Sequence, residues 1–400
     1  MSVTSPQGFR AAGVAAGIKA SGALDVAVVV NDGPPDRRAA AAVFTPNRFA
    51  AAPVVWCRSV LAQTVPVAVV LNSGGANACT GARGTADAAA TAEHAAQALT
   101  SATPEASLDG LGRNGVLVCS TGLIGEHLPM ASLLAGVSDA IGHLSEEGGE
   151  QAARAIMTTD TRPKTVELTA AGGRYTIGGM AKGAGMLAPA LATMLAVITT
   201  DAVVAQSSLG PMLARAVDAT FNRIDSDGCQ STNDTVILLA SGASGHAPDP
   251  REFEEALTDA CADLARELIA DAEGAEHDIA IAVRGATTQT AALEVARAIA
   301  RSNLVKTAIY GRDPNWGRIL SQVGTVPEAT APFDPTAIDL AINGVPLVTA
   351  GAPDAERSQV DLSARDVAID IDLHAGPAEA TLLTNDLTHG YVEENSAYST

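Results

Sequence analysis

The sequence predicts an α/β protein (an α+β layered sandwich) on three observations. Short apolar runs bounded by Gly, Asn or Ser alternate with Ala-rich segments of helical spacing along all 400 residues. Hydrophobic residues make up 47% and charged residues 18%, so the chain can bury a core and is not a disordered one. Only 3% is aromatic, so Ala, Val, Leu and Ile must build that core. At about 150 residues per domain the length leaves room for roughly two or three.

In chain order, Val67–Leu71 reads as a buried strand and Thr85–Leu99 as a helix. Val116–Ser120 is a second strand, Pro211–Ile224 a helix and Val236–Ala240 a third strand. Pro248, Asp249 and Pro250 form a turn that suits a domain boundary. The clearest helix is Pro250–Ala272, where Phe253, Leu257, Cys261, Leu264 and Leu268 recur at spacings of 4, 4, 3 and 4. That stripe makes Cys261 a packing residue rather than a nucleophile. Ile279–Val283 and the helix Ala286–Ser302 follow. Near the end, Val367, Ile369, Ile371 and Leu373 alternate with Ala368, Asp370 and Asp372, the pattern of a strand with one face in water.

Composition also limits function. With 25 basic against 45 acidic residues the net charge is −20, which excludes a general nucleic-acid binder. A single Lys or Arg in a cleft can still hold a small anion. The longest apolar stretch, Met186 to Ile198, contains Pro189 and Thr193 and falls short of the roughly 20 residues a bilayer needs. Lys19 interrupts the Ala/Gly-rich run after Arg10, so a signal peptide is not expected and the chain reads as soluble and cytoplasmic. The five cysteines (57, 79, 119, 229 and 261) are scattered without C-x-x-C, so neither a zinc site nor a disulfide framework is expected. Gly178 to Gly183 lacks the Lys-Ser/Thr of a P-loop, Gly74 to Gly84 lacks a dinucleotide fingerprint, and the seven histidines form no H-E-x-x-H.

One segment carries chemistry: Gly183-Ala184-Gly185-Met186-Leu187-Ala188-Pro189-Ala190-Leu191-Ala192-Thr193-Met194-Leu195-Ala196. Alone, Thr193 would be an ordinary hydroxyl back-bonding within an element. The stretch resembles the cleavage region of the ornithine acetyltransferase family, the bifunctional glutamate N-acetyltransferases of arginine biosynthesis. Further strings recur in order from about Gly8 to Thr400: Asn72-Ser73-Gly74-Gly75-Ala76-Asn77-Ala78, Ser120-Thr121-Gly122-Leu123-Ile124-Gly125 and Met157-Thr158-Thr159-Asp160-Thr161. After the Thr come Phe221-Asn222-Arg223, Ser231-Thr232-Asn233-Asp234-Thr235, Tyr310 to Arg318 and Glu394-Asn395-Ser396-Ala397-Tyr398.

The resemblance implies a self-cleaving N-terminal-Thr enzyme of β-aminopeptidase-like architecture. It would be cut between Ala192 and Thr193 into an α chain, 1–192, and a β chain, 193–400. The chemistry is coherent. A Thr hydroxyl is a weak nucleophile, and the α-amine exposed by cleavage, with a reference pKa of about 7.7–8.0, is a base on the same residue. The small Ala192 leaves room for the hydroxyl to attack its carbonyl.

By the same resemblance Thr121 and Gly122 form the oxyanion hole and Lys182 meets the substrate α-carboxylate. Thr159 touches substrate, with Thr158 close enough to leave that choice open. Glu273 holds the substrate amine, and Asn395 and Thr400 lie at its polar end. Glu273 would follow the long helix directly, against the helix dipole. The chain departs from the family at two places. Ala272 and Ala275-Glu276-His277 stand where Asp-Gly-Glu-Gly-Ala-Thr-Lys is common, and Pro189-Ala190-Leu191 replaces Pro-Asn-Met.

The expected activity is ping-pong acetyl transfer from N2-acetyl-L-ornithine to L-glutamate through acetyl-Thr193. It would use no metal or cofactor, acetyl-CoA being a possible second donor, and the mature protein would be a dimer of α–β units, a heterotetramer. The nearest rival is an N-terminal-nucleophile aminopeptidase or amidase with water as acceptor. A non-catalytic scaffold is a rival of another class.

Overall fold

The computed structural model describes residues 2–102, 111–187 and 194–397. Among these residues, three sheets form. The first has four strands in the order β1 (Phe9–Val14), β2 (Val26–Asn31), β4 (Ala68–Ser73) and β5 (Val116–Thr121), the last pair parallel. The second has five, in the order β3 (Ala39–Phe44), β9 (Thr235–Ala240), β8 (Leu195–Thr200), β7 (Tyr175–Lys182) and β6 (Lys164–Ala170). β8 runs parallel to β9 and antiparallel to β7.

These two sheets stack face to face, and the period of two decides which core each side chain enters. In β2, Ala27 and Val29 enter the core between the sheets, whereas Val26, Val28 and Val30 enter the core beneath the outer helices. In β9, Ile237 and Leu239 face inward, and Val236, Leu238 and Ala240 face the opposite helical layer. Buried on both faces, such strands read as unbroken apolar runs. Helices α2 (Gly81–Ala102) and α3 (Met130–Gly142) cover the first sheet. Helices α5 (Gln206–Ala219) and α6 (Pro250–Ile269) cover the second. The result is a four-layer α–β–β–α body. Its inter-sheet core is completed by residues of α1 (Ala52–Leu61) and α4 (Gly149–Ala155).

Cys261 is fully buried in the α6 core, as its stripe predicts, and burial holds its thiol far above the usual range. The turn at Pro248–Pro250 is not a domain boundary. Asp249 is the N-cap of α6, accepting from the amides of Arg251 and Glu252, and α6 packs within the same body. The helix expected from Pro211 starts earlier, at Gln206, with Pro211 inside it.

The third sheet has the order β13 (Ala352–Pro353), β12 (Val345–Thr349), β11 (Asp339–Ile342), β14 (Asp366–Asp372), β10 (Asp278–Ala286) and β15 (Ala378–Asn385). One face packs against α7 (Gln289–Ala300), α8 (Asn303–Tyr310) and α9 (Trp316–Val323). Val367, Ile369, Ile371 and Leu373 all lie in that core, as their alternation predicts. Helix α10 (His389–Ala397) then returns toward the first body. Packing thus divides the chain near residue 270, whereas the junction expected at 192/193 falls between neighbouring strands β7 and β8. None of the helices among the described residues is long and apolar enough to cross a membrane.

Candidate active site

A cleft opens where the C-terminal end of β5, the segment after β7, the loop before β9 and the turn after α6 meet. Thr121, Gly122, Thr158, Thr159, Gly185 and Glu273 line it, with Asn395 at its edge. Each arrives for a local reason.

Thr121 ends β5, and Gly122 follows with φ +128. A Cβ at Gly122 would lie 2.5 Å from the Gly75 nitrogen and 2.6 Å from the Gly74 carbonyl carbon, so only glycine lets the Gly74–Gly75 turn close on the strand end. Gly122→Ala should therefore lower the unfolding free energy by about 1–3 kcal/mol, read from the denaturant midpoint. The amide side chain of Asn233 donates to the carbonyls of Ala76 (2.6 Å) and Ser120 (2.8 Å) and fixes the opposite wall.

Lys182, at the end of β7, is buried and donates to Thr121 Oγ1 at 3.2 Å. An accepting hydroxyl keeps its own hydrogen for another partner, so Thr121 is equipped to donate to a developing oxyanion. Burial pulls the Lys182 ammonium down, while Asp160, Asp234 and Glu273 oppose that shift. It is an interior charge under the cleft rather than a solvated lysine.

The helix α6 stops at Ile269, three residues short of its expected end, which releases Asp271 and Glu273 into a turn. Glu273 therefore does not cap the helix, and the dipole argument does not apply. Its amide donates to the Ala184 carbonyl at 2.9 Å. Its carboxylate accepts from Thr159 Oγ1 at 2.7 Å and from Asn395 Nδ2 at 2.9 Å. Between the two threonines left open, Thr159 makes the contact with Glu273, while the Thr158 amide donates to Asp160 Oδ2 at 2.9 Å. A Cβ at Gly185 would come within 2.3 Å of Glu273 Oε2, so the glycine-rich approach is the bed on which this carboxylate lies.

Beneath these groups lies a cluster that the sequence alone does not reveal. Lys164, fully buried at the start of β6, reaches Asp160 Oδ1 at 2.5 Å and Asp271 Oδ2 at 2.6 Å. Asp160 also accepts from the Gly183 amide at 2.7 Å, and Asp271 accepts from both the amide and hydroxyl of Thr161. Burial would raise Asp160, but Lys182 and Lys164 outweigh it and hold the carboxyl below its ordinary range. The cluster ties the Thr159 turn, the Glu273 turn and the segment after β7 into one unit.

Ala192 and Thr193 lie outside the described residues, as do Pro189-Ala190-Leu191 and Thr400. Both flanks of the expected junction are held. Upstream, the Met186 amide donates to Asp227 Oδ2 at 2.7 Å, and the Leu187 carbonyl accepts from the Ser226 amide at 2.7 Å. Burial pushes Asp227 up to about 6. Downstream, the Met194 amide donates to the buried Asp234 at 2.9 Å. Ser231, Thr232 and Asn233 also line the cleft. They stand in a string noted in the sequence, but nothing there separates wall residues from neighbours.

The ArgJ family model matches residues 10–400. The arginine biosynthesis bifunctional protein ArgJ of Thermobifida fusca is 57% identical over 400 residues, covering 100% of both chains. Its counterpart in Bifidobacterium longum is 56% identical over 402 residues, again with 100% of both covered. A solved structure of ornithine acetyltransferase from Mycobacterium tuberculosis, complexed with ornithine, is 55% identical; the match covers 48% of this chain and 96% of that one, with a TM-score of 0.44.

Proposed function

The chain belongs to the ArgJ family, and on that premise we propose that it is an autoprocessed acetyltransferase of arginine biosynthesis. It moves acetyl from N2-acetyl-L-ornithine to L-glutamate. One observation carries the mechanistic reading. Thr121, Gly122 and Glu273, whose carboxylate accepts from two neutral donors, line one cleft beside the segment that leads to Thr193.

Thr193 is the nucleophile in both stages. In processing, its hydroxyl attacks the Ala192 carbonyl. The peptide C–N bond breaks with the proton passing to the departing nitrogen, and water then hydrolyses the ester. The freed α-amine next takes the hydroxyl proton as Thr193 attacks the acetyl carbonyl of the donor. Thr121 and Gly122 meet the oxyanion, and the proton returns to the leaving amine of ornithine. Glutamate attacks acetyl-Thr193 and carries the acetyl away. Glu273, fixed by Thr159 and Asn395, holds the substrate's distal ammonium. Lys182 supplies positive charge beneath the oxyanion site and toward the substrate carboxylate. Thr400 acts at the polar end. None of these steps uses a metal or a nucleotide. Chains 1–192 and 193–400 remain associated as one α–β unit, and two units pair in a cytoplasmic heterotetramer.

The test uses the purified protein. Denaturing electrophoresis should show two nearly equal fragments, with Thr as the first residue of one of them. Incubation with N2-acetylornithine and glutamate should yield acetylglutamate faster than free acetate. Acetate as the main product would instead favour a hydrolase with water as acceptor.

A further inference from the structure

The turn that presents Glu273 is closed by a pair that the mechanism above does not use. His277 and Asp386 are both buried. His277 Nδ1 lies 2.7 Å from Asp386 Oδ2, and Nε2 lies 3.2 Å from the Leu362 carbonyl oxygen. Asp386 Oδ1 accepts from the amides of Glu276 and His277, each at 3.0 Å. The next residues grip the same turn: Thr388 Oγ1 donates to the Gly274 carbonyl at 2.6 Å, and α10 then carries Asn395 onto Glu273.

A carbonyl oxygen has no hydrogen to offer, so Nε2 must donate. Asp386 already accepts two backbone N–H groups on Oδ1 and turns Oδ2 to the ring, so the geometry sets Nδ1 as a donor as well. A neutral imidazole has one N–H and cannot satisfy both. The surrounding charges are mixed. Asp278 and Glu276 flank His277 in the chain, Asp278 pairs with Arg365 at 2.9 Å, and Arg365 and Lys306, the latter pulled down to about 8 by burial, lie in the field of Asp386. Lys306 comes from α8 and donates to the Asn385 carbonyl beside Asp386.

We propose that His277 is held as an imidazolium between Asp386 and Leu362, and that it is a positioning residue for Glu273. Loss of its second proton breaks one of the two bonds and loosens the 273–277 turn. Affinity for the amine-bearing substrate then falls while the acyl-transfer step is spared. This proposal rests on the reading that Glu273 holds the substrate amine.

Two measurements on the full, processed protein test it. Histidine ring-nitrogen NMR, assigned with His277→Gln, should show both His277 nitrogens protonated at neutral pH; one unprotonated ring nitrogen would overturn the proposal. KM for N2-acetylornithine should be followed from about pH 6 to about pH 9 in the wild type and in His277→Gln, whose amide does not titrate over that range. The wild-type KM should rise at least about fivefold relative to the variant's at the alkaline end, with the kcat ratio nearly constant, whereas parallel profiles would refute the coupling. Glu273→Gln separates the two claims. An unchanged KM there removes the Glu273 reading, and the NMR result still decides the charge of His277.

Discussion

Replacing Thr193 with Ala should leave a single uncut chain and reduce acetyl transfer by at least about a thousandfold, because both stages begin with the same hydroxyl. The loss should be chemical rather than structural. The bonds that hold the flanks of Thr193, Met186 amide to Asp227 and Met194 amide to Asp234, are made by other residues. The thermal midpoint of the variant should therefore stay within a few degrees of the wild type. Thr193→Ser, which keeps a hydroxyl, should still cleave and retain part of the activity. Transfer at the wild-type rate by an uncut Thr193→Ala protein would refute the mechanism.

The second large effect is expected at Lys164. Its ammonium is fully buried between Asp160 and Asp271. Lys164→Met removes the shared cation and leaves two buried carboxylates facing one another. Breaking a buried pair in this way costs about 3–5 kcal/mol, which should be visible as a lower denaturant midpoint. The pH dependence supplies a sharper signature. In the wild type, Asp160 is held below its ordinary range against burial by Lys182 and Lys164. Its contribution is present above the unfolded pKa of about 3.9 and is lost as pH falls through the lower folded value. In Lys164→Met one of the two cations that hold Asp160 down is gone, so the stability lost on acidification should be smaller in the variant than in the wild type. An equal loss would contradict this account. KM should rise too, because the same cluster anchors the turns of Thr159 and Glu273.

Much of the layered body is legible in the sequence, for a physical reason. Strands buried on both faces, such as Val116–Thr121 and Thr235–Ala240, are forced to be apolar throughout. The order in which they pair is not legible, since equivalent apolar runs carry no label of their neighbours. At the site, Thr121, Gly122, Thr159 and Glu273 could be named through the family resemblance, although no local pattern links Thr159 to a carboxylate 114 positions away. Lys164 was invisible because a lysine after Arg162-Pro163 looks like a solvated one. Its partners come from a loop and from the residues released when α6 stops early. The His277–Asp386 pair escaped for the same reason: a separation of 109 positions leaves no spacing to recognise.

The position of the 192/193 junction has a consequence for the life history of the protein. β7 and β8 are hydrogen-bonded neighbours inside the five-stranded sheet, with Lys182 opposite Leu195. A cut in the connection between them leaves both strands in place, and neither fragment owns a complete core. On the proposed processing, the precursor would have to finish folding as one molecule before being severed. The severed protein, once unfolded, could then return only by a bimolecular encounter, so its recovery from denaturant should depend on concentration while that of the uncut Thr193→Ala chain should not. Self-cleavage, as proposed, would act as a ratchet on the folding pathway: the native state would be reached by an intramolecular route that the cut protein could no longer retrace.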